Sequence, residues 1–380
     1  MDNKEIIIVN ELKEKAYNHL GINDHKYLVN FLYNKNIKKT NEKDTKKEKI
    51  KKETKKIKEK EYNYDEVFFT KELNEIIENI KNKKEKINEE LNIKNILIQN
   101  KEFKYYDLNE NVLVKNIDIN DKNKNSYYIL DIRSEEKKEN KEINKKEKQI
   151  EKYRNINLNI KADNSKIVCI YIINGGNAFS IDNITLESKN NSEIIFKYLI
   201  IGESFGNLKH ISRAFKNSKI DVSGVYFLSK DNSLDLMYEG IMEEEKSKTY
   251  FNFEGICKDN SKKISKDILN FKNGAKESVG IEKENITILS EEAKVKTAPI
   301  LLSSEEDIIG EHGYSSGMLD KNKIYYMMSR GVSFNDAKYL IVKSKIDRIM
   351  KKNLDLDKNE KDYLSLKIQK IEEKIWKNLM

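Results

Sequence analysis

One histidine in this chain has a setting in which a side chain could do chemistry. His312 lies in Gly310-Glu311-His312-Gly313-Tyr314-Ser315-Ser316-Gly317, a polar stretch whose glycines allow close approach by another backbone or a ligand. A neutral imidazole there could bind a transition metal or change charge near physiological pH. The bland alternative is a turn histidine bonded to a backbone carbonyl. His210, Cys169 and Cys257 are further soft donors, and would form a metal site only if folding stacked them. As isolated residues in apolar segments they read instead as core or corner residues. His19 and His25 fall on expected surface helices and titrate in solvent.

Other constellations are missing. The sequence has no GxxxxGK[ST] loop to cradle a nucleotide phosphate, no GxSxG elbow and no HExxH pair. Gly175-Gly176 follows a strand but leads through Asn177 into another strand, so it reads as a hairpin or coil corner rather than a dinucleotide fingerprint. Cys169 and Cys257 make neither a CxxC pair nor a disulfide framework, which suits a reducing cytoplasm. The longest apolar runs, Ile167 to Ile173 and Tyr198 to Ile201, fall far short of the roughly 18 residues that a membrane span needs. The first 20 residues carry no basic n-region and no small-residue cleavage site, so export is not signalled.

The 380 residues carry 72 Lys+Arg against 64 Asp+Glu, a formal net charge of +8. Between Ile37 and Lys60 stand 12 lysines and five acids, so this stretch holds nearly all of the excess. It has no arginine, and no aromatic until Tyr62. It therefore lacks the guanidinium forks and stacking groups of a nucleic-acid site and reads as a solvated insertion.

The elements that must position these residues fall into three parts. Residues 1–92 read as a helical N-terminal module with the lysine-rich insertion at about 37–60. Its helices are expected at Glu11–Leu20, at His25–Tyr33, and after Thr70 where Leu73, Ile76, Ile77, Ile80, Ile87 and Leu91 repeat. Residues 93–318 alternate apolar and polar, as in Ile156–Ile160, Phe179–Ile181, Ile184–Leu186, Ile220–Val222, Leu234–Leu236, Phe251–Phe253 and Ile286–Ile288. No long helical period interrupts them, which excludes a doubly wound sheet and leaves a sandwich, a barrel or a β-solenoid. A charged tract at Glu135–Lys152 reads as a surface loop. Residues 319–380 return to helix: Asn322–Arg330 ending at Gly331, a second helix capped by Ser333, and a third over Glu360–Leu379.

The residues of the third part and those before it resemble a known family. Gly310-Glu311-His312-Gly313 through Gly317, Leu319-Asp320, Ile324-Tyr325-Tyr326-Met327-Met328-Ser329-Arg330-Gly331, Ala337-Lys338 and Leu340-Ile341-Val342 are similar to the C-terminal signature of the SufB/SufD family of iron-sulfur cluster assembly proteins. Gly274-Ala275, Ser278-Val279-Gly280, Glu284-Asn285, Leu289-Ser290, Thr297, Pro299 and Leu301 look like its preceding strands. The resemblance implies a mainly β fold with a right-handed parallel β-helix core and helical N- and C-terminal modules. It also implies partners: a SufB-like paralogue, and a SufC ATPase of the ABC type docked on the C-terminal module, which would account for the missing P-loop. SufB-like chains carry a scaffold cysteine a few residues before the proline and a Glu after the histidine. Ala293 and Gly313 stand there, so the chain resembles SufD.

On that reading the chain is a non-catalytic subunit with no stably bound cofactor. His312 is a candidate interface residue or metal ligand toward a transient cluster at the paralogue boundary, and Gly310 stands where some SufD chains place a cysteine. Tyr325, Tyr326, Met327, Ser329, Arg330, Gly331, Ala337 and Leu340 are the candidates for ATPase docking. The Ser329-Arg330-Gly331 turn also serves as an ordinary helix C-cap. A SufB-like homodimer using Cys169 or Cys257 is the alternative. A carbohydrate-binding solenoid is a more distant one, lacking evident carboxylate clusters and aromatic platforms.

Overall fold

In the computed structural model the described residues are 4–8, 26–30, 93–98, 101–108, 112–133, 152–175, 178–202 and 205–350, together with 373 and 375. The chain divides into two compact units. In the first, β1 (Lys4–Ile8) and β2 (Lys26–Asn30) form a two-stranded sheet. This corrects the helix expected over His25–Tyr33. Tyr27, Leu28 and Val29 favour an extended backbone once the isoleucine run Ile6–Ile8 offers a partner strand. The helices expected at Glu11–Leu20 and after Thr70, the lysine-rich tract, and the charged tract up to residue 151 lie outside the described residues.

The second unit is a stack of parallel strands. These are β3 (Ile93–Ile98), β4 (Lys101–Leu108), β5 (Val112–Lys122), β6 (Asn125–Arg133), β7 (Lys152–Asp163), β8 (Lys166–Asn174), β9 (Ala178–Lys189) and β10 (Glu193–Ile201). There follow β11 (Phe205–Ala214), β12 (Lys219–Leu228), β13 (Ser233–Met242), β14 (Lys248–Cys257), β15 (Lys262–Phe271), β16 (Ser278–Ile288), β17 (Lys294–Ser303) and β18 (Ile308–Met318). Even-numbered strands make one sheet, in the order β18-β16-β14-β12-β10-β8-β6-β4, with β3 added antiparallel beside β4. Odd-numbered strands from β5 to β17 make the other. Successive strands thus change sheet at every corner and pair in parallel with the strand two before, which is the connectivity of a β-solenoid. Sandwich and barrel are excluded, and Gly175 takes its place at a corner, its N–H donating to Ile201 O at 2.9 Å.

Many of the corners use a residue in the left-handed region, which asparagine tolerates best among residues with a side chain. Asn123, Asn164, Asn190, Asn191 and Asn217 adopt positive φ, as do Lys230, Lys246, Asp259 and Glu277. A serine beside the corner recurs at Ser165, Ser192, Ser218, Ser247 and Ser278, all buried. These serines satisfy backbone or one another from coil to coil: Ser165 N–H donates to Ser192 Oγ at 3.1 Å, Ser218 Oγ to Ser188 O at 2.7 Å, and the Ser247 and Ser278 hydroxyls meet at 2.9 Å.

The interior between the sheets is a continuous apolar column that includes Ile167, Ile194 and Ile220 on one row and Cys169, Phe196, Val222 and Phe251 on the next. The outer face of the even-strand sheet is apolar too. Val168, Ile170, Ile172, Ile195, Leu199, Val225, Phe227 and Ile256 pack beneath a helix that supplies Val342, Ile346, Ile349 and Met350. Burial on both faces explains why β8 reads as an unbroken apolar run, and β10 as one broken only by Lys197, rather than as alternating strands. That helix is α2 (Phe334–Met350), preceded by α1 (Lys321–Ser329). Asp320 caps α1 by accepting from the N–H groups of Asn322 and Lys323, and Ser333 caps α2, accepting from Asp336 N–H at 3.1 Å. Of the third expected helix, Glu373 and Ile375 are described as helical.

Candidate functional site at the open end of the solenoid

The stack ends at β17 and β18, the outermost strands of the two sheets. Pro299, the sole proline, sits in β17, where a missing ladder donor is tolerated because the strand is an edge. His312 lies on β18 directly opposite Glu282 of β16. Strands β16 and β18 are parallel and in register, so His312 shares the inward face of Gly280, Glu282 and Glu284, yet it is exposed because no further coil of the described residues covers it. Tyr314, opposite Glu284, has its ring 6.0 Å from the Lys263 ammonium.

Beneath this mouth lies a buried polar cluster that the sequence reading did not identify. Lys263 Nζ donates to Ser265 Oγ at 2.6 Å, to Thr297 Oγ1 at 3.1 Å and to the Glu284 carboxylate. Tyr226 Oη donates to the other Glu284 oxygen at 2.8 Å, and Gly255 leaves the room for that tyrosine, since a Cβ there would stand 2.2 Å from Tyr226 Oη. Asp267 accepts from Ser265 Oγ at 3.1 Å, and burial together with Glu284 pushes its carboxyl far above the usual range. Glu282 is raised to about 7 by burial and then by Glu284. The signal was available in the strand phase: Lys263, Ser265 and Asp267 share the parity of the core residues Leu269 and Phe271.

His210, Cys169 and Cys257 do not converge. By register the column of Cys169 runs through Phe196 and Val222 to Phe251, six residues before Cys257 on β14. Three strand spacings of about 4.8 Å and six rises of about 3.3 Å keep the sulfurs roughly 24 Å apart. Both thiols are fully buried, and burial raises them, Cys257 to about 12, so neither is a thiolate nucleophile in this conformation. Among the described residues no group of three or more His, Cys, Asp or Glu side chains is arranged to hold a metal ion. His312 could contribute a single ligand to a shared site.

His210 is buried, with Nδ1 2.6 Å from Tyr198 Oη and Nε2 2.7 Å from Ser212 Oγ. Burial pushes its pKa down to about 3, so the ring is neutral in the fold while the unfolded chain protonates below about 6.5. Its contribution is complete above pH 6.5 and is lost as pH falls toward 3, at about 1.4 kcal/mol per pH unit. Urea denaturation between pH 7 and 4.5 should show this slope, and the difference between the native chain and His210→Gln should isolate it.

The helical candidates form an exposed apolar face. Tyr325 is 75% and Tyr326 60% exposed, and Met328, Phe334 and Leu340 are also exposed. Met327 is half-buried and lines a groove of about 380 Å³ with Tyr326 and Ile341. Ser329 Oγ donates to Tyr326 O at 2.7 Å, the Arg330 guanidinium lies 5.4 Å from the Tyr326 ring centroid, and Gly331 takes the left-handed conformation that ends α1. Ala337 is fully buried and supports this face from below. No helix of the described residues is long and apolar enough to cross a membrane.

A parallel solenoid carrying a helical pair on one sheet, with a histidine at its open end, is the arrangement expected for one family. Residues 115–345 match the family described as SUF system FeS cluster assembly, SufBD core domain, and the chain belongs to it. Among individual relatives, the iron-sulfur cluster assembly protein SufD of Bacillus subtilis is 32% identical over 96 residues, 25% of this chain and 22% of that protein. The iron-sulfur cluster assembly SufBD family protein PH1385 of Pyrococcus horikoshii is 26% identical over 136 residues, 36% of this chain and 30% of that one. The matched segments thus span less than a third of either relative's length.

Proposed function

We propose that this chain is a SufD-like, non-catalytic subunit of a SufB-SufC-SufD iron-sulfur cluster assembly complex. The observation that carries the reading is the pairing of an unfinished solenoid end with a separate exposed aromatic face on α1 and α2. An open sheet edge is a template for strands of another chain, and a SufB-like paralogue would continue the stack beyond β17 and β18. His312 would then face the partner across the junction, where its imidazole supplies a ligand or handles a proton for a nascent cluster, which is cargo rather than a resident cofactor. The face of Tyr325, Tyr326, Met328 and Leu340 docks the SufC ATPase, aromatic anchors being the usual centre of such an interface. ATP hydrolysis belongs to that partner. Buried, protonated Cys169 and Cys257 fit a subunit that does not itself carry sulfur.

Because Tyr325 and Leu340 are exposed, Tyr325→Ala with Leu340→Glu should leave the melting temperature unchanged. It should weaken capture of the ATPase by at least about tenfold in a titrated pull-down, a modest share of what two central contacts contribute. Undiminished capture by the folded double variant would remove the docking face from the account.

A further inference from the structure

A polar cleft opens where the even-strand sheet emerges from under α2. Over β8 to β14 the outer face beneath the helix is mainly isoleucine, valine, leucine and phenylalanine, interrupted by Lys197 and Glu254. At the last two strands it changes to Asn285 and Thr287 on β16 and Ser315 and Gly317 on β18. These line a space of about 560 Å³ whose other wall is Lys323 of α1 with Ser344, Lys345 and Arg348 of α2. Gly317 leaves the floor open: a Cβ placed there meets nothing within 4 Å. Ser315 Oγ donates to Asn285 Oδ1 at 3.0 Å, fixing the floor side chains.

The charges in this cleft are unbalanced in one direction. Its own acid, Asp320, is committed to the α1 cap. The carboxylate behind it, Glu254, is shared by Lys345, at 2.5 Å, and Arg348. Arg348 remains 58% exposed, and one carboxylate uses only part of its five N–H donors. Lys323 is exposed and stands 4.0 Å from Asp320. Burial, then repulsion by Lys323, pushes the Lys345 amine down to about 8, while its contact with Glu254 holds the charged form in place. Two ammonium groups close enough to repel, a guanidinium with donors to spare, and a floor of hydroxyls and amide form a seat for a polyvalent oxyanion. Among the described residues no aromatic side chain lines the cleft to stack a base.

We infer that this cleft binds a phosphate-type oxyanion, with Lys323, Lys345 and Arg348 supplying charge and the Thr287 hydroxyl and the Asn285 amide N–H supplying neutral donors. The inference stands apart from the assembly role and can fail or hold without it.

The test is calorimetric titration of the full-length chain with inorganic pyrophosphate at pH 7 and constant ionic strength, sodium chloride replacing pyrophosphate in the control. Saturable one-site binding is expected. Lys323→Gln should weaken it about threefold, and Ser344→Asp, which sets a carboxylate in the cleft at an exposed position, at least tenfold. A thermal melt confirms that both variants remain folded. No saturable heat from the native chain, or equal binding by native chain and Ser344→Asp, would overturn the inference.

Discussion

Replacing Glu254 with alanine should destabilise the protein by about 3 kcal/mol, the low end of the range for removing one partner of a buried ion pair. Glu254 projects from the outer face of β14 and is almost fully buried under α2, where it meets Lys345 and Arg348. Arg348 can turn to solvent when the carboxylate is gone, but Lys345 is itself buried and would keep an uncompensated ammonium. The same C-terminal turns of the helix are also held by Lys197, buried on β10, whose ammonium donates to Ile349 O at 2.6 Å. Lys197 and Glu254 are thus two polar clamps on an otherwise apolar contact, and both fix the helix that carries Leu340. Urea denaturation of native chain and Glu254→Ala should show a lower midpoint with an unchanged slope. Glu254→Gln should recover part of the loss by accepting one hydrogen bond. An Ala variant within 0.5 kcal/mol of native, roughly the scale of an ordinary surface substitution, would show the contact to be dispensable.

Much of the solenoid was legible in the alternation of short strands, but alternation alone is shared by sandwiches and barrels. What distinguishes them here is a repeat at the corners: Asn164-Ser165-Lys166-Ile167, Asn191-Ser192-Glu193-Ile194 and Asn217-Ser218-Lys219-Ile220, echoed by Lys230-Asp231-Asn232-Ser233 and Lys258-Asp259-Asn260-Ser261. Positive φ at Asn164, Asn191 and Asn217 and the stacked serines give that repeat its physical meaning, one corner per coil. The strand at Lys26–Asn30 was hidden because Leu28, Phe31 and Leu32 also fit a helical spacing, and a partner strand some 20 residues earlier decides the matter.

The site was legible in part. The glycine-flanked setting of His312 marked it out, and register places it at the open end. Of the charges beneath it, Glu284 entered only as part of the family pattern, and Lys263, Asp267 and Glu282 were not singled out, because alternation alone does not say which face of a strand turns inward. Only the coil stacking turns their face inward. The helical face was recognised by motif, and the structure separates its members: Tyr325 and Leu340 point outward, while Ala337 is buried.

The second large effect concerns the open end itself. Ile309 and Met318, at opposite ends of β18, are 55% and 53% exposed. Charges on an edge strand are the usual means of preventing pairing with another chain. Ile309→Asp with Met318→Asp should therefore leave the folded subunit and the face proposed to dock the ATPase intact while weakening the proposed association with the paralogue by at least about a hundredfold, or 2.7 kcal/mol. Such a result would locate the partner on β17 and β18 rather than on the helices.

The most direct measurement is co-purification after co-expression of the tagged full-length chain with a cysteine-bearing SufB-like paralogue and a SufC-type ATPase. The native chain should retain both, the Ile309 and Met318 double variant should retain the ATPase and lose the paralogue, and the Tyr325 and Leu340 double variant should do the reverse. A native, folded chain that retains neither partner would contradict the account.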